Sequence, residues 1–307
     1  MKKIKKEWLV MRNKHLKDPR EMYKTGNFPD QEQNTPALQD KMNPKPDCGE
    51  ESYKGHERLT GRNALITGGD SGIGRAAAIA YAREGANVAI QFFPGEEKDA
   101  EEVKGYIEDT GQKALLLPYD LRDDNAATEI VEKTVEAFGG LDILVLNAAQ
   151  QIAHKTLSDL SMKQVHDTFK VNIISMFETV KAAEEHLEPG SSIITTTSIQ
   201  SFDPSEPLID YAATKGAISN FTVTLSSYFA DQGVRVNGVA PGPIWTPIQL
   251  DDGKLDGQIP EFGQNSPLGR AGQPVELSPV YVLLASDEGS YITGQIYGVT
   301  GGGPINL

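Results

Sequence analysis

Residues 63–78 read Asn63-Ala64-Leu65-Ile66-Thr67-Gly68-Gly69-Asp70-Ser71-Gly72-Ile73-Gly74-Arg75-Ala76-Ala77-Ala78, and this stretch decides the fold. The apolar run Ala64 to Ile66 predicts a buried strand. Glycines bracket a tight turn directly after it, and the Ala-rich segment Ile73 to Arg83 has the composition of a helix. Strand, glycine turn and helix in that order bring backbone N–H groups and a helix N-terminus to one point. That point attracts an anion, because the helix dipole and the unpaired amides both favour negative charge. Glycine is required where a Cβ would keep the backbone from closing on a pyrophosphate. The same letters, Gly69-Asp70-Ser71-Gly72, also spell the nucleophile signature of chymotrypsin-like peptidases. That reading fails: it needs a paired His and Asp on an all-β, usually disulfide-rich body, whereas here a helix follows Ser71 and the chain has one Cys.

The 307 residues can bury one large core plus an appendage. A formal net charge of −14 argues against nucleic acid as a partner. Charge is unevenly placed: residues 1–24 hold nine Lys/Arg and three Asp/Glu, so a basic head precedes an acidic body. Such a head docks on its own body or a neighbouring subunit, or stays a solvated tail. It resembles a signal-peptide n-region, but Arg12, Lys14 and Lys17 interrupt where an apolar stretch should follow. No stretch approaches a membrane span. The single Cys48 fits a reducing, cytoplasmic setting, and neither Cys48, His15 nor His56 stands at metal-ligand spacing, so no metal site is expected.

Residues 1–55 are polar and Pro-bearing, as in Met42-Asn43-Pro44-Lys45-Pro46-Asp47, and predict an extended N-terminal arm, ordered only if it lies against the body. Residues 56–307 then form one domain. From about residue 60 strand and helix patterns alternate, which predicts an α/β fold: a doubly wound, mostly parallel sheet with helices on both faces. Seven strands are expected, beginning near residues 64, 87, 114, 141, 192, 234 and 295, with a long helix over 161–187.

Tyr211 and Lys215 stand four apart at the start of a predicted helix, so both lie on one face. A fixed ammonium near a phenol stabilises the phenolate and lowers its pKa from about 10, which suits Tyr to proton transfer. Ser198 follows a predicted strand whose C-terminal end faces the crevice of the glycine turn, where open α/β sheets bind ligands.

Thr67-Gly68-x-x-x-Gly72-Ile73-Gly74, the strand ending Asn147-Ala148-Ala149, Ser198, Tyr211-x-x-x-Lys215 and Pro241-Gly242-Pro243 occur in this order over residues 58–303. In order and spacing the chain resembles the short-chain dehydrogenase/reductase family. The resemblance implies a single Rossmann-type domain, a nicotinamide cofactor, and reversible hydride transfer between a secondary alcohol and a ketone or aldehyde. It implies Tyr211 as general acid/base, Lys215 as its pKa modulator and a partner of the nicotinamide ribose, Ser198 as donor to the substrate oxygen, and Asn172 as the helix residue whose backbone holds a relay water. For the cofactor it implies Gly68, Ser71, Gly72, Ile73 and Gly74 at the pyrophosphate, Asp120 and Leu121 at the adenine, Asn147, Ala148 and Ala149 at the ribose, and Pro241, Gly242, Ile244 and Thr246 at the carboxamide. A homotetramer is the assembly it implies. The chain departs from the family in reading Leu146-Asn147-Ala148-Ala149 where Asn-Asn-Ala-Gly is usual, and in its long arm.

NADP-specific members place Arg or Lys beside the glycine turn or after the second strand. Here those places hold Ser71 and Gln91-Phe92-Phe93-Pro94, with Asp70 nearby to repel a phosphate, so NAD(H) is favoured over NADP(H), with Phe93 at the adenosine ribose. Gln150, Gln200 and Trp245 line or neighbour the substrate pocket, or serve packing. Residues 247–267, with Gly253, Gly257 and Gly263, predict a lid. Two rivals share the fold: a nucleotide-sensing protein without catalysis, which need keep none of the four catalytic-type residues, and an epimerase or dehydratase without net cofactor turnover.

Overall fold

Alternation of side chains along a strand dictates how the first strand is used. In the computed structural model, which describes residues 16–255 and 257–305, Asn63–Thr67 forms β1. Ala64 and Ile66 pack into one hydrophobic cluster and Leu65 into another, because successive side chains point to opposite faces. Both faces are covered, so the middle of the strand, Ala64 to Ile66, is wholly apolar. The other strands are β2 (Asn87–Phe92), β3 (Ala114–Pro118), β4 (Ile143–Leu146), β5 (Ser192–Thr196), β6 (Arg235–Pro241) and β7 (Ile296–Val299). Every pairing is parallel and the order is β3-β2-β1-β4-β5-β6-β7, a doubly wound Rossmann-type sheet. Strand order reverses between β1 and β4, which opens a crevice at their C-terminal ends.

Helices α1 (Gly72–Arg83) and α2 (Glu97–Glu108) cover one face, joined there by the residues of a later helix, Ser278–Ala285. Helices α3 (Ala126–Phe138), α4 (Met162–Phe169), α5 (Ser175–Ala183) and α6 (Ile209–Phe229) cover the other, and Ser278–Ala285 is α7. The long helix expected over 161–187 is therefore not continuous. Ser161 caps α4 by accepting the Gln164 N–H at 3.1 Å. A π-turn at Lys170–Ile174 then separates α4 from α5; such widened turns recur at functional sites, and this one carries Asn172.

The basic run 1–15, with His15, lies outside the described residues. From Leu16 to Glu50 the arm has little regular structure beyond a turn at Gln39–Lys41, yet it lies against its own body. Phe28 stacks on Trp245 with ring centroids 4.0 Å apart, and the Trp245 Nε1–H donates to the Pro44 carbonyl at 2.8 Å. These rings join Ala37, Met42, Leu250, Ile259, Phe262 and Ala271 in a separate apolar cluster. At the junction of arm and domain the fully buried Glu84 accepts hydrogen bonds from the Tyr53 hydroxyl (2.5 Å), the Arg58 guanidinium (2.7 Å) and the His56 and Arg58 amides (2.8 and 3.1 Å). Burial alone would raise its pKa; those donors outweigh it and hold the carboxyl at about 2.

Removing the carboxylate leaves Arg58 and two amides without their acceptor. Glu84→Ala is expected to cost about 3 kcal/mol, read as a lower denaturant midpoint at unchanged slope. The native pKa lies below the unfolded value. The wild-type advantage is thus full above about pH 4.5 and shrinks as pH falls towards 2.

Candidate active site

The glycine turn closes on itself before anything can bind there. A Cβ on Gly74 would sit 1.9 Å from the Gly68 carbonyl oxygen, so α1 packs against the end of β1 only because residue 74 is glycine. Gly72 adopts φ +52°, and a Cβ on it would lie 2.9 Å from Thr246 Cγ2. Neighbouring strand ends are tied to the turn. The Thr67 hydroxyl accepts the Asn147 and Ala148 amides at 2.9 and 3.1 Å, and Asn147 Nδ2 donates to the Thr67 and Gly68 carbonyls at 3.2 and 3.1 Å. Gln91 Oε1 accepts the Gly68 N–H at 3.1 Å. The ends of β1, β2 and β4 are thereby fixed around one cleft of about 440 Å³.

Ser198, Tyr211 and Lys215 meet in that cleft. Ser198 follows β5 and is a hydrogen-bonding neighbour of the Tyr211 phenol. Lys215 lies one turn along α6, its Nζ 5.3 Å from the centre of the Tyr211 ring and donating to the Thr196 carbonyl at 2.9 Å. Both side chains are buried, and burial decides their protonation: the Tyr211 phenol is pushed up to about 12 and the Lys215 ammonium down to about 7. The expected lowering of the Tyr211 pKa is not found, because desolvation disfavours the charged form of each group.

The structure brings most of the sequence-predicted residues to the same cleft: Gly68, Ser71, Gly72 and Ile73 at the turn, Phe93, Asp120 and Leu121 at one end, Asn147 to Gln150 in the middle, and Gln200, Pro241, Gly242, Ile244 and Thr246 along the other wall. Three residues stand elsewhere. Gly74 does not line the cleft; it closes the turn from within. Trp245 does not line the cleft: it is fully buried and carries the arm, because its ring and N–H are taken by Phe28 and Pro44. The Asn172 side chain is buried and spent on Gln150, whose N–H it accepts at 2.7 Å and to whose carbonyl it donates at 2.9 Å, and on Thr214 Oγ1 at 3.1 Å.

Several lining residues were not foreseen. Thr35, Pro36 and Ala37 of the arm face the cleft, and nothing in their local pattern marks them. Arg122 also lines it, its guanidinium 5.4 Å from the Phe93 ring centre and paired with Asp120 at 2.6 Å, so the sequence reading that no cation stands near Phe93 is corrected. The Asp120-x-Arg122 spacing was the available signal. Glu96 accepts the Phe93 N–H at 3.0 Å and, together with the buried Asp70, puts two acids on this wall. Burial first and the neighbouring carboxyl second push the Glu96 pKa up; burial likewise raises that of Asp70, whose Oδ2 has no hydrogen-bond partner among the described residues. Among the described residues no group of three acidic, His or Cys side chains could hold a metal, and no helix is long and apolar enough to cross a membrane.

This turn, this sheet order and a Ser–Tyr–Lys group on the crevice are the marks of one class of proteins, and comparison with known proteins agrees. The family model described as enoyl-(acyl carrier protein) reductase, of the short-chain dehydrogenase type, matches residues 68–303. The chain is 54% identical over 297 residues to the "Uncharacterized oxidoreductase YhxD" of Bacillus subtilis, covering 96% of this chain and 99% of that protein. It is 41% identical to "NADPH-dependent aldehyde reductase 1, chloroplastic" of Arabidopsis thaliana, covering 88% and 96%. Among solved structures, a short chain dehydrogenase from Burkholderia cenocepacia in complex with NADP superposes with a TM-score of 0.73 at 32% identity, covering 80% of this chain and 99% of that one. The chain belongs to the short-chain dehydrogenase/reductase family.

The raised pKa of Glu96 sets a sign for stability. The folded chain keeps a proton there that the unfolded chain releases, so this contribution is full below about pH 4.5 and is lost as pH rises towards 9. Melting temperature should therefore fall less steeply between pH 5 and 9 in Glu96→Gln than in wild type, checked by parallel thermal scans; an equal slope would remove Glu96 from the account.

Proposed function

We propose that this protein is an oxidoreductase that transfers hydride reversibly between a secondary alcohol and a ketone or aldehyde, with NAD(P) as partner and Tyr211 as general acid/base. The observation that carries the reading is the meeting of Ser198, Tyr211 and Lys215 on the crevice beside the glycine turn. The residues present fit a dinucleotide: the glycine turn at the head of α1 lines the cleft through Gly68, Ser71, Gly72 and Ile73, and the Ser71 side chain does not cap α1. Bound nicotinamide would supply or accept the hydride.

The chain's own groups handle the proton. With its pKa near 12 the Tyr211 phenol keeps its proton at neutral pH, the state needed to donate to a carbonyl oxygen during reduction. Ser198 donates a hydrogen bond to the same oxygen and orients it. Lys215, held by the Thr196 carbonyl, is placed to hydrogen-bond the ribose and to return a proton to Tyr211. In the opposite direction Tyr211 first passes its own proton to Lys215 and the relay, and the resulting phenolate, stabilised by the Lys215 charge, accepts the alcohol proton. Asn172 keeps the Gln150 backbone in place at the substrate end, and its own backbone, in the π-turn, is assigned to the relay water. Ser71 and Ile73 take the pyrophosphate at the turn that Gly72 shapes, Asp120 and Leu121 the adenine, and Gln150 and Gln200 neighbour the substrate.

NAD(H) is favoured over NADP(H). A 2′-phosphate needs free cations, whereas this wall offers Glu96 and Asp70, and Arg122 is already bound by Asp120. The NADP-bound relative from Burkholderia makes this a discriminating statement. Residues 1–55 serve as an arm to the 56–307 domain. A cytoplasmic homotetramer is the assembly proposed, and it is supported by Ile174 and Phe177 at α5 and Val223 and Tyr228 on α6, which expose 44–58% of their surface.

Tyr211→Phe is expected to bind NADH as wild type does while turnover of an aldehyde and ketone panel, followed by NADH absorbance, falls by at least about 10²-fold; retained turnover overturns its role. In calorimetric titrations at fixed salt NADH should bind about tenfold tighter than NADPH, and equal or reversed affinities overturn the cofactor preference.

A further inference from the structure

The described part of the arm, although remote in sequence, touches the cleft on two sides. On the first, Gln39 is 2% exposed, and its Oε1 accepts the Gly72 N–H at 2.8 Å. That amide is among the first of α1, which ordinarily find an acceptor on the residue just before the helix. Ser71 does not serve, and a residue 33 positions upstream takes its place. Gln39 is itself fixed: its backbone N–H and that of Asp40 donate to the Asp99 carboxylate at 2.6 and 3.1 Å, and the Cys48 thiol behind it donates to the Gly72 carbonyl at 3.5 Å. On the second side the arm grips the 247–262 segment. The Gln33 N–H donates to the Leu250 carbonyl at 3.2 Å and the Phe28 N–H to that of Pro260 at 2.9 Å, while the Phe28 ring covers Trp245 at the root of the segment. Between these two anchorages Thr35, Pro36 and Ala37 form part of the cleft wall itself.

We propose that the arm is a working part of the cofactor cleft, in which Gln39 is a positioning residue that sets the glycine turn and Phe28 holds the 247–262 segment over it. The ligand named in the test rests on the function proposed above. Gln39 settles one amide of the turn, so the amides that follow stay directed at the pyrophosphate. Phe28 and Gln33 keep Thr246 and its neighbours in contact with Gly72. The arm thereby reduces the ordering that a ligand would otherwise impose on binding.

The experiment uses the full chain with three substitutions. Gln39→Met keeps the length and removes the acceptor. Phe28→Ala removes the clamp on the segment. Asp40→Asn is the control, because its side chain binds Lys45 and Lys98 and lines no part of the cleft. Gln39→Met should weaken NADH binding about tenfold by calorimetry, while Asp40→Asn binds as wild type even where its melting temperature drops. Hydrogen exchange of the ligand-free protein should quicken over 247–262 in Phe28→Ala and stay unchanged in the control. Wild-type affinity in Gln39→Met together with wild-type exchange in Phe28→Ala overturns the proposal. Failure of the wild type to bind any dinucleotide would instead overturn the assigned cofactor, and the exchange measurement would still decide the role of the arm.

Discussion

The approach of the first helix to the end of the first strand is the constraint on which the rest depends. Gly74 lies so close to the Gly68 carbonyl that any side chain would separate them. Once that contact exists, Thr67 and Asn147 join β1 to β4 through four hydrogen bonds, and Gln91 joins β2 to the turn. Three strand ends then share one origin. The side chains that follow them, Phe93 and Ala148 among them, and Ser198 after the adjoining β5, acquire defined places around the crevice although they are distant in sequence.

Burial governs the chemistry of the site more than pairwise charge does. Tyr211 and Lys215 are both withdrawn from water, and each is pushed towards its neutral form. A pair with a low-pKa phenol and a permanent ammonium is what spacing in the sequence suggests. Desolvation, which spacing does not report, reverses that picture for the ligand-free cleft. The acids on the opposite wall, Glu96 and Asp70, obey the same rule, since burial holds both towards their protonated forms, with Asp70 adding to it at Glu96 and Asp99 at Asp70.

The arm shows how a segment without periodicity can still be specified. Its contacts are made one at a time: a stacked ring on Trp245, a side-chain acceptor for Gly72, backbone bonds to Leu250 and Pro260. None needs a repeating pattern, and each partner lies more than thirty residues away, so composition alone reads the segment as extended. Trp245 suffered the converse error. An aromatic beside a glycine-proline loop reads as a pocket residue, yet its outer face is taken by the arm.

By itself the sequence determined the α/β class, the parallel sheet, the position of the glycine turn and the Ser198–Tyr211–Lys215 group, because each is written in local periodicity or in short fixed spacings. Tertiary structure alone decided that α4 and α5 are separated by a π-turn at Asn172, that Arg122 stands against Phe93, that Trp245 faces the arm, and that Gln39 completes the turn. The physical reason is range. Strand and helix patterns arise from neighbours within a few residues, whereas hydrogen-bond partners, burial and the pKa values that follow depend on which distant surfaces the folded chain presses together.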